Sequence, residues 1–139
     1  MKQRLQTLTL LERMRRHAML AEARELAGLR AEIARMETVK ASLLAALTTE
    51  ARTVSLEAAP YVGAYIRSVR DEVTRIDRAI TGLDPRILAL ETAVMTQFRE
   101  VATARLALSQ TRARTQAEIA RQATAEADTQ TILRWARRH

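Results

Sequence analysis

The chain has 139 residues, of which only three are glycine, two are proline and none is cysteine. Its formal net charge is +7, and aromatic residues make up 3% of a sequence that is 47% hydrophobic. This composition excludes disulfide frameworks and thiolate zinc sites, argues against a thick globular core and favours long helices in a thin bundle.

The first predicted helix covers about residues 3 to 52. Its apolar residues repeat every seven positions, with partners three residues later, as in the a and d positions of a coiled coil. Before residue 22 an apolar stripe continues in a shifted phase, which predicts a stutter. The a positions are Leu26, Ile33, Lys40 and Leu47, the d positions are Leu29, Met36 and Leu43, and the shifted stripe is Leu5, Leu8, Leu11, Met14, Ala18 and Ala21.

A turn is predicted at about residues 53–59. Ser55 can cap a helix, and Pro60 prevents one helix from running through this stretch. The second proline, Pro85, follows Gly82 and Asp84 and allows two interpretations. Either a third helix starts there, or one long second helix is kinked there.

The heptad repeat favours a single second helix over about residues 60–137, because its phase does not change across Pro85. Pro85 falls at an f position, facing away from the seam. The a positions are Ile66, Val73, Ile80, Ile87, Val94, Val101 and Leu108, and the d positions are Val69, Ile76, Leu83, Leu90, Gln97, Ala104 and Thr111.

The expected fold is therefore all-α: a long antiparallel two-helix coiled-coil hairpin that forms a single domain over residues 1–139. Folding at residue 56 places residue 3 beside about residue 109, so residues after about 112 overhang without a partner in the chain. The heptad pattern lapses at the same point, where Thr115, Glu118 and Gln122 take the seam positions.

Catalysis is not expected. The two histidines, His17 and His139, lie far apart in the sequence, and there is no phosphate-binding loop and no nucleophile motif. We therefore expect no cofactor, no metal and no enzymatic activity. The sequence also has no run of about 20 apolar residues and no secretory signal in its first 16 residues, which predicts a cytoplasmic protein.

Basic residues gather near both ends of the sequence, at residues 1–16 and 99–121. In the hairpin these segments meet, which favours an anionic partner over the alternative of a solvated arginine-rich face. At the other end, Tyr61 and Tyr65 lie one helical turn apart and suit a protein contact, unless they fold back over the turn. Trp135 lies in the overhang and allows three interpretations. It could be a helical anchor for a partner's groove, part of a basic end that binds an acidic membrane, or part of a disordered tail.

Two short segments carry a family resemblance. Tyr65-Ile66-Arg67-Ser68-Val69 opens the second helix, and Glu126-Ala127-Asp128 precedes Trp135-Ala136-Arg137-Arg138 at the end. With the basic ends and the longer second helix, these segments resemble the FliJ-type (YscO-like) stalk proteins of flagellar and other type III export systems.

The resemblance implies a stalk or adaptor that binds the centre of the hexameric export ATPase and links it to the cytoplasmic domain of the export gate. Association with the inner face of the cell membrane would then be peripheral, through the export complex. The implied gate-binding residues are Tyr65 and Val69, with Tyr61 added because it is close. The implied ATPase-binding residues are Arg4, Arg13, Arg15, Arg16, Arg105, Arg112 and Arg114.

Several alternatives stay open at the sequence level. A generic coiled-coil scaffold could dimerise through residues 66–108, and a basic coiled coil could bind nucleic acid, although no helix carries a contiguous basic reading surface. The sequence does not distinguish a flagellar system from an injectisome. It also leaves open whether export chaperones bind.

Overall fold

The computed structural model describes residues 2–52, 57 and 59–139, and it places the side chains of all of these except residues 51 and 52. Helix α1 is Lys2–Arg52 and helix α2 is Ala59–Arg138, and no strand occurs in the described residues. The chain is all-α, as predicted, and its two helices form the predicted antiparallel hairpin with a longer second helix. The predicted turn, apart from Glu57 and Ala59, lies outside the described residues.

Contacts divide the chain into two compact units. The terminal unit comprises Met1–Met19 and Thr96–His139, and the central unit comprises Leu20–Met95. Each unit contains a part of α1 packed against a part of α2, so each can be described by itself.

Ion pairs show the antiparallel direction of the two helices within the central unit. In the central unit, Arg30 contacts Glu91 at 2.7 Å and Lys40 contacts Asp77 at 2.7 Å. Because the partner number on α2 falls as the number on α1 rises, the two helices run in opposite directions. Folding at residue 56 predicts that Lys40 lies opposite residue 72, so the observed pairing is displaced by about one helical turn.

The heptad pattern of α2 is confirmed. Every predicted a and d position from Ile66 to Thr111 is buried or half-buried, whereas Pro85 is exposed inside the helix. One continuous helix through Pro85 is therefore correct, and the kink there stays a prediction. The most buried apolar residues are Leu26, Val69, Ile76 and Leu90 in the central unit and Val101, Ala104 and Leu108 in the terminal unit.

The shifted stripe predicted for the start of α1 is only partly buried. Leu5, Leu8 and Ala18 are half-buried, but Met14 is 61% exposed, and Leu11 and Ala21 are also exposed. Instead the phase of Leu26 continues without a stutter to Met19, Glu12 and Leu5, which lie at successive seven-residue steps. Glu12 is only 7% exposed, so a carboxylate occupies a seam position that the sequence argument had assigned to apolar residues.

Candidate interaction surfaces

Glu12 keeps its place in the seam because two arginines neutralise it. Arg105 Nε on α2 lies 3.1 Å from Glu12 Oε1, and Arg16 on the next turn of α1 lies 3.8 Å from the same atom. A buried carboxylate without such partners would be costly. Arg105 and Arg16 keep half-exposed side chains and bring their charges to Glu12 from the rim of the interface.

The seven arginines predicted to bind an anionic partner divide into two groups. All seven are exposed and belong to the terminal unit. Three of them are engaged within the chain: Arg16 and Arg105 with Glu12, and Arg15 with Glu100 at 2.6 Å. Their charges are partly neutralised, so all three contribute less positive charge to the surface, and Arg15 and Arg105 help to hold the two helices together.

The other four arginines, Arg4, Arg13, Arg112 and Arg114, form no ion pair with any described residue. Two lie on α1 and two on α2, and all four belong to the terminal unit. Their charges remain uncompensated, which makes them the stronger candidates for an anionic contact. We call these four residues the open arginines.

Two of the open arginines line one surface groove. Arg13 on α1 and Arg112 on α2 lie on it together with Lys2, and its apolar part is formed by Leu5 and Leu10. The sequence argument counted Lys2 in the basic segment 1–16 but not among the binding residues, and it did not consider Leu10. Leu10 belongs to neither apolar stripe of α1. Its place in the groove becomes clear only once α2 brings Arg112 to the same surface as Lys2 and Arg13.

The predicted gate-binding residues differ in exposure. Tyr61 is 76% exposed and available to a partner, while Tyr65 is half-buried. Val69 is 5% exposed because it is a d residue of the helix interface, so it packs inside the hairpin and does not belong to a binding surface. Only the tyrosines remain as candidates.

A second, more apolar groove lies in the central unit. Met36 and Val39 of α1 and Ile76 and Ala79 of α2 form its floor. Its rim carries both signs of charge, including the ion pair of Arg75 with Glu72, which raises the pKa of Arg75. Because the rim carries both positive and negative charges, it favours neither an anionic nor a cationic partner. The open arginines, in contrast, favour an anionic one.

The end of α2 is helical through Arg138, so a disordered tail is wrong for this segment. Thr115 and Glu118 are still half-buried, but all side chains from Ile119 to His139 are exposed. The overhang therefore exists, and it begins a few residues later than predicted.

Within the described residues, no cluster of three or more histidine, aspartate or glutamate side chains could hold a metal ion. In the same part of the chain, neither helix has a stretch long and apolar enough to cross a membrane.

Comparison of the chain with protein-family models, with curated proteins and with solved structures finds no match in any of the three. The function must therefore be inferred from the residues themselves.

Proposed function

We propose that this protein is a non-enzymatic stalk or adaptor of a type III, flagellar-type, protein export apparatus. In this role its terminal unit binds the centre of the hexameric export ATPase, and the start of α2 binds the cytoplasmic domain of the export gate. The observation that carries the proposal is the set of four open arginines, Arg4, Arg13, Arg112 and Arg114, on the paired helices of the terminal unit.

A helix pair at the centre of a ring-shaped enzyme contacts several identical subunits. Successive subunits of a ring present the same surface in different orientations, so a central partner must make contacts that change easily. Charged contacts at an exposed rim meet this need, because they act over several ångströms and do not require close packing. The exposed guanidinium groups fit such contacts with carboxylates of the ring.

The structure also sharpens which arginines to test. Reversing Arg15 or Arg105 would set a new carboxylate beside Glu100 or Glu12 and disturb the helix pairing. Arg13 and Arg112 have no such partner among the described residues, so reversing them removes no ion pair of the hairpin.

The first prediction concerns Arg13→Glu combined with Arg112→Glu. We expect affinity for the export ATPase to fall about tenfold or more, since a loss of 1.4 kcal/mol already corresponds to tenfold. Stimulation of ATP hydrolysis and of hexamer formation by this protein should fall in parallel. The assay uses the ATPase of the source organism at near-physiological salt.

The matched control is Arg70→Glu with Arg78→Glu, which makes the same change of net charge on exposed arginines of the central unit. This control should keep stimulation near the wild-type level. Equal loss in both double variants would show that only net charge matters. A wild-type protein that leaves an active ATPase unchanged would refute the stalk proposal.

The second prediction concerns Tyr61→Ala. Because Tyr61 is exposed and far in sequence from the open arginines, we expect this variant to bind the gate's cytoplasmic domain about tenfold more weakly and to stimulate the ATPase normally. Titration calorimetry with each purified partner separates the two effects. Loss of both interactions would show that one surface serves both partners.

The open arginines also suit phosphate groups, which supports nucleic-acid binding as the alternative function. Such binding would fall steeply with added salt. If wild-type protein binds duplex DNA or RNA at near-physiological salt, and Arg13→Glu with Arg112→Glu abolishes that binding while the ATPase shows no response, the alternative replaces the stalk.

A further inference from the structure

The last three turns of α2 combine features that the hairpin does not use. The segment 129–139, here called the C-terminal segment, is helical through Arg138 and exposed along its whole length. It contains the only tryptophan of the chain, Trp135, which is 63% exposed. Ile132 and Leu133 beside it are more than half exposed.

The C-terminal segment is also strongly basic. It contains Arg134, Arg137 and Arg138 and no acidic residue; the nearest acidic residue is Asp128. These three arginines form no ion pair with any described residue. Arginines near the end of a helix interact favourably with its dipole, and these three also give the C-terminal segment a local positive charge that attracts an anionic surface.

Helical spacing separates the apolar and basic residues. At about 100° per residue, Ile132, Trp135 and Ala136 fall on one side of the helix, and the three arginines fall on the other. Leu133 widens the apolar side. The ring of His139 stacks on that of Trp135 at a centroid distance of 4.8 Å, which extends the aromatic surface at the helix end.

We propose that the C-terminal segment binds the surface of a bilayer that contains anionic lipids. The helix lies in the interface, with Ile132, Leu133 and Trp135 among the upper acyl chains and the arginines at the phosphate groups. Amphipathic helices with basic polar faces and tryptophan on the apolar side bind membranes in this way. The C-terminal segment lies in the exposed overhang of α2, after the last half-buried residue, Glu118, and it contains none of the four open arginines. The lipid contact therefore does not rest on the proposed function.

A lipid surface fits the segment better than a groove on a protein. Helices that dock in grooves present anchors over two to three turns, at i, i+3 or i+4 and i+7. In the C-terminal segment such anchors are limited to Ile132, Trp135 and the ring of His139, because the same face upstream carries Ala125, Asp128 and Thr129, which are small or polar. A bilayer needs no shape-matched anchor there, and each arginine adds attraction to an anionic leaflet.

Because Trp135 is the only tryptophan, its fluorescence reports on the C-terminal segment in the full-length protein. The probe is a vesicle of phosphatidylglycerol and phosphatidylcholine at near-physiological salt, compared with phosphatidylcholine alone. We expect the emission of Trp135 to shift to the blue with anionic vesicles only. Lipids brominated on the upper acyl chain should quench it.

The test variant replaces Arg134, Arg137 and Arg138 by glutamine, and its matched control replaces Arg24, Arg70 and Arg78, which are exposed arginines of the central unit. Co-sedimentation should weaken at least about tenfold in the first variant and much less in the second, since an arginine acts only near the surface. Because all six arginines are exposed, both variants should keep the wild-type circular dichroism.

Three results would overturn the proposal. One is the absence of a blue shift and of quenching in wild-type protein with anionic vesicles. Another is equal loss of binding in the two triple variants, which would mean that total charge and not the C-terminal segment holds the membrane. A shift that appears only when a purified protein partner replaces the vesicles would assign the segment to a protein groove and would also reject the lipid contact.

Discussion

At the residue scale, the most informative position is Glu12. It lies in the seam of the terminal unit, where it holds Arg105 and Arg16, while Leu11 and Met14 beside it are exposed. The carboxylate therefore fixes the rotation of α1, because the charge must face the arginine on α2. A buried polar residue in a coiled coil often sets the register in this way, at some cost in stability.

This arrangement leads to the third prediction, that Glu12→Leu stabilises the protein. Removing one member of a buried ion pair usually destabilises, because the other charge is left buried. Here both arginine partners are half-exposed and return to water, and leucine adds apolar burial at a seam position. We expect the free energy of unfolding to rise by about 1–2 kcal/mol in urea titrations followed by circular dichroism.

The matched variant is Glu12→Ala, which removes the charge but adds little apolar area. It should leave stability within about 1 kcal/mol of the wild type. If Glu12→Leu unfolds at a lower urea concentration than both the wild type and Glu12→Ala, the ion pairs of Glu12 stabilise the protein more than a buried leucine does. Glu12 would then be a net source of stability.

Residue-level prediction from the sequence found the basic segments but not the ion pairs. The seven arginines implied by the family resemblance are all exposed, and their role in binding stays a prediction. Which of them are neutralised depended on the register, and the sequence placed the partner of Lys40 about one helical turn too early. Glu12 was missed for another reason: a seven-residue pattern treats a carboxylate as a surface residue unless its partner on the other helix is known.

At the element scale, the heptad of α2 was predictable because it is long and redundant. Fourteen a and d positions between Ile66 and Thr111 agree on one phase, and the pattern overrides the local helix-breaking tendency of Pro85. The start of α1 offers fewer repeats and two apolar stripes, so its phase was decided by the contact of Glu12 with Arg105, which lies 93 residues away.

The fourth prediction tests the phase of α2 directly with two leucines that lie two residues apart. Leu90 is 3% exposed at a d position, and Leu88 is 65% exposed at b. Leu90→Ala should lower the free energy of unfolding by about 2–4 kcal/mol, because it leaves a cavity in the seam. Leu88→Ala should change it by less than about 0.5 kcal/mol.

Both substitutions remove the same atoms and have the same helix propensity change, so the difference between them reports burial alone. Urea denaturation of the two variants provides the measurement. Equal effects would mean that Leu88 is covered in solution, as it would be if α2 also packed against a second chain.

At the scale of the whole molecule, the main question is whether the seam is closed within one chain. The rival is a parallel dimer through residues 66–108, which would use the same a and d residues. In the structure α1 already covers them: Leu90 is buried in the central unit and Val101 in the terminal unit. A dimer of that kind would have to displace α1 and lose ion pairs such as that of Lys40 with Asp77.

The fifth prediction is therefore a monomer. Sedimentation equilibrium should give a mass of 15.6 kDa over a wide range of protein concentration, and the net charge of +7 adds repulsion between copies. A mass twice as large that persists on dilution would contradict this prediction. The variant Leu11→Ser with Met14→Ser then identifies the contact, because these exposed residues lie outside the seam. A dimer abolished by the two serines would join hairpins through the face that Glu12 leaves exposed, whereas a dimer that survives them would use the seam itself.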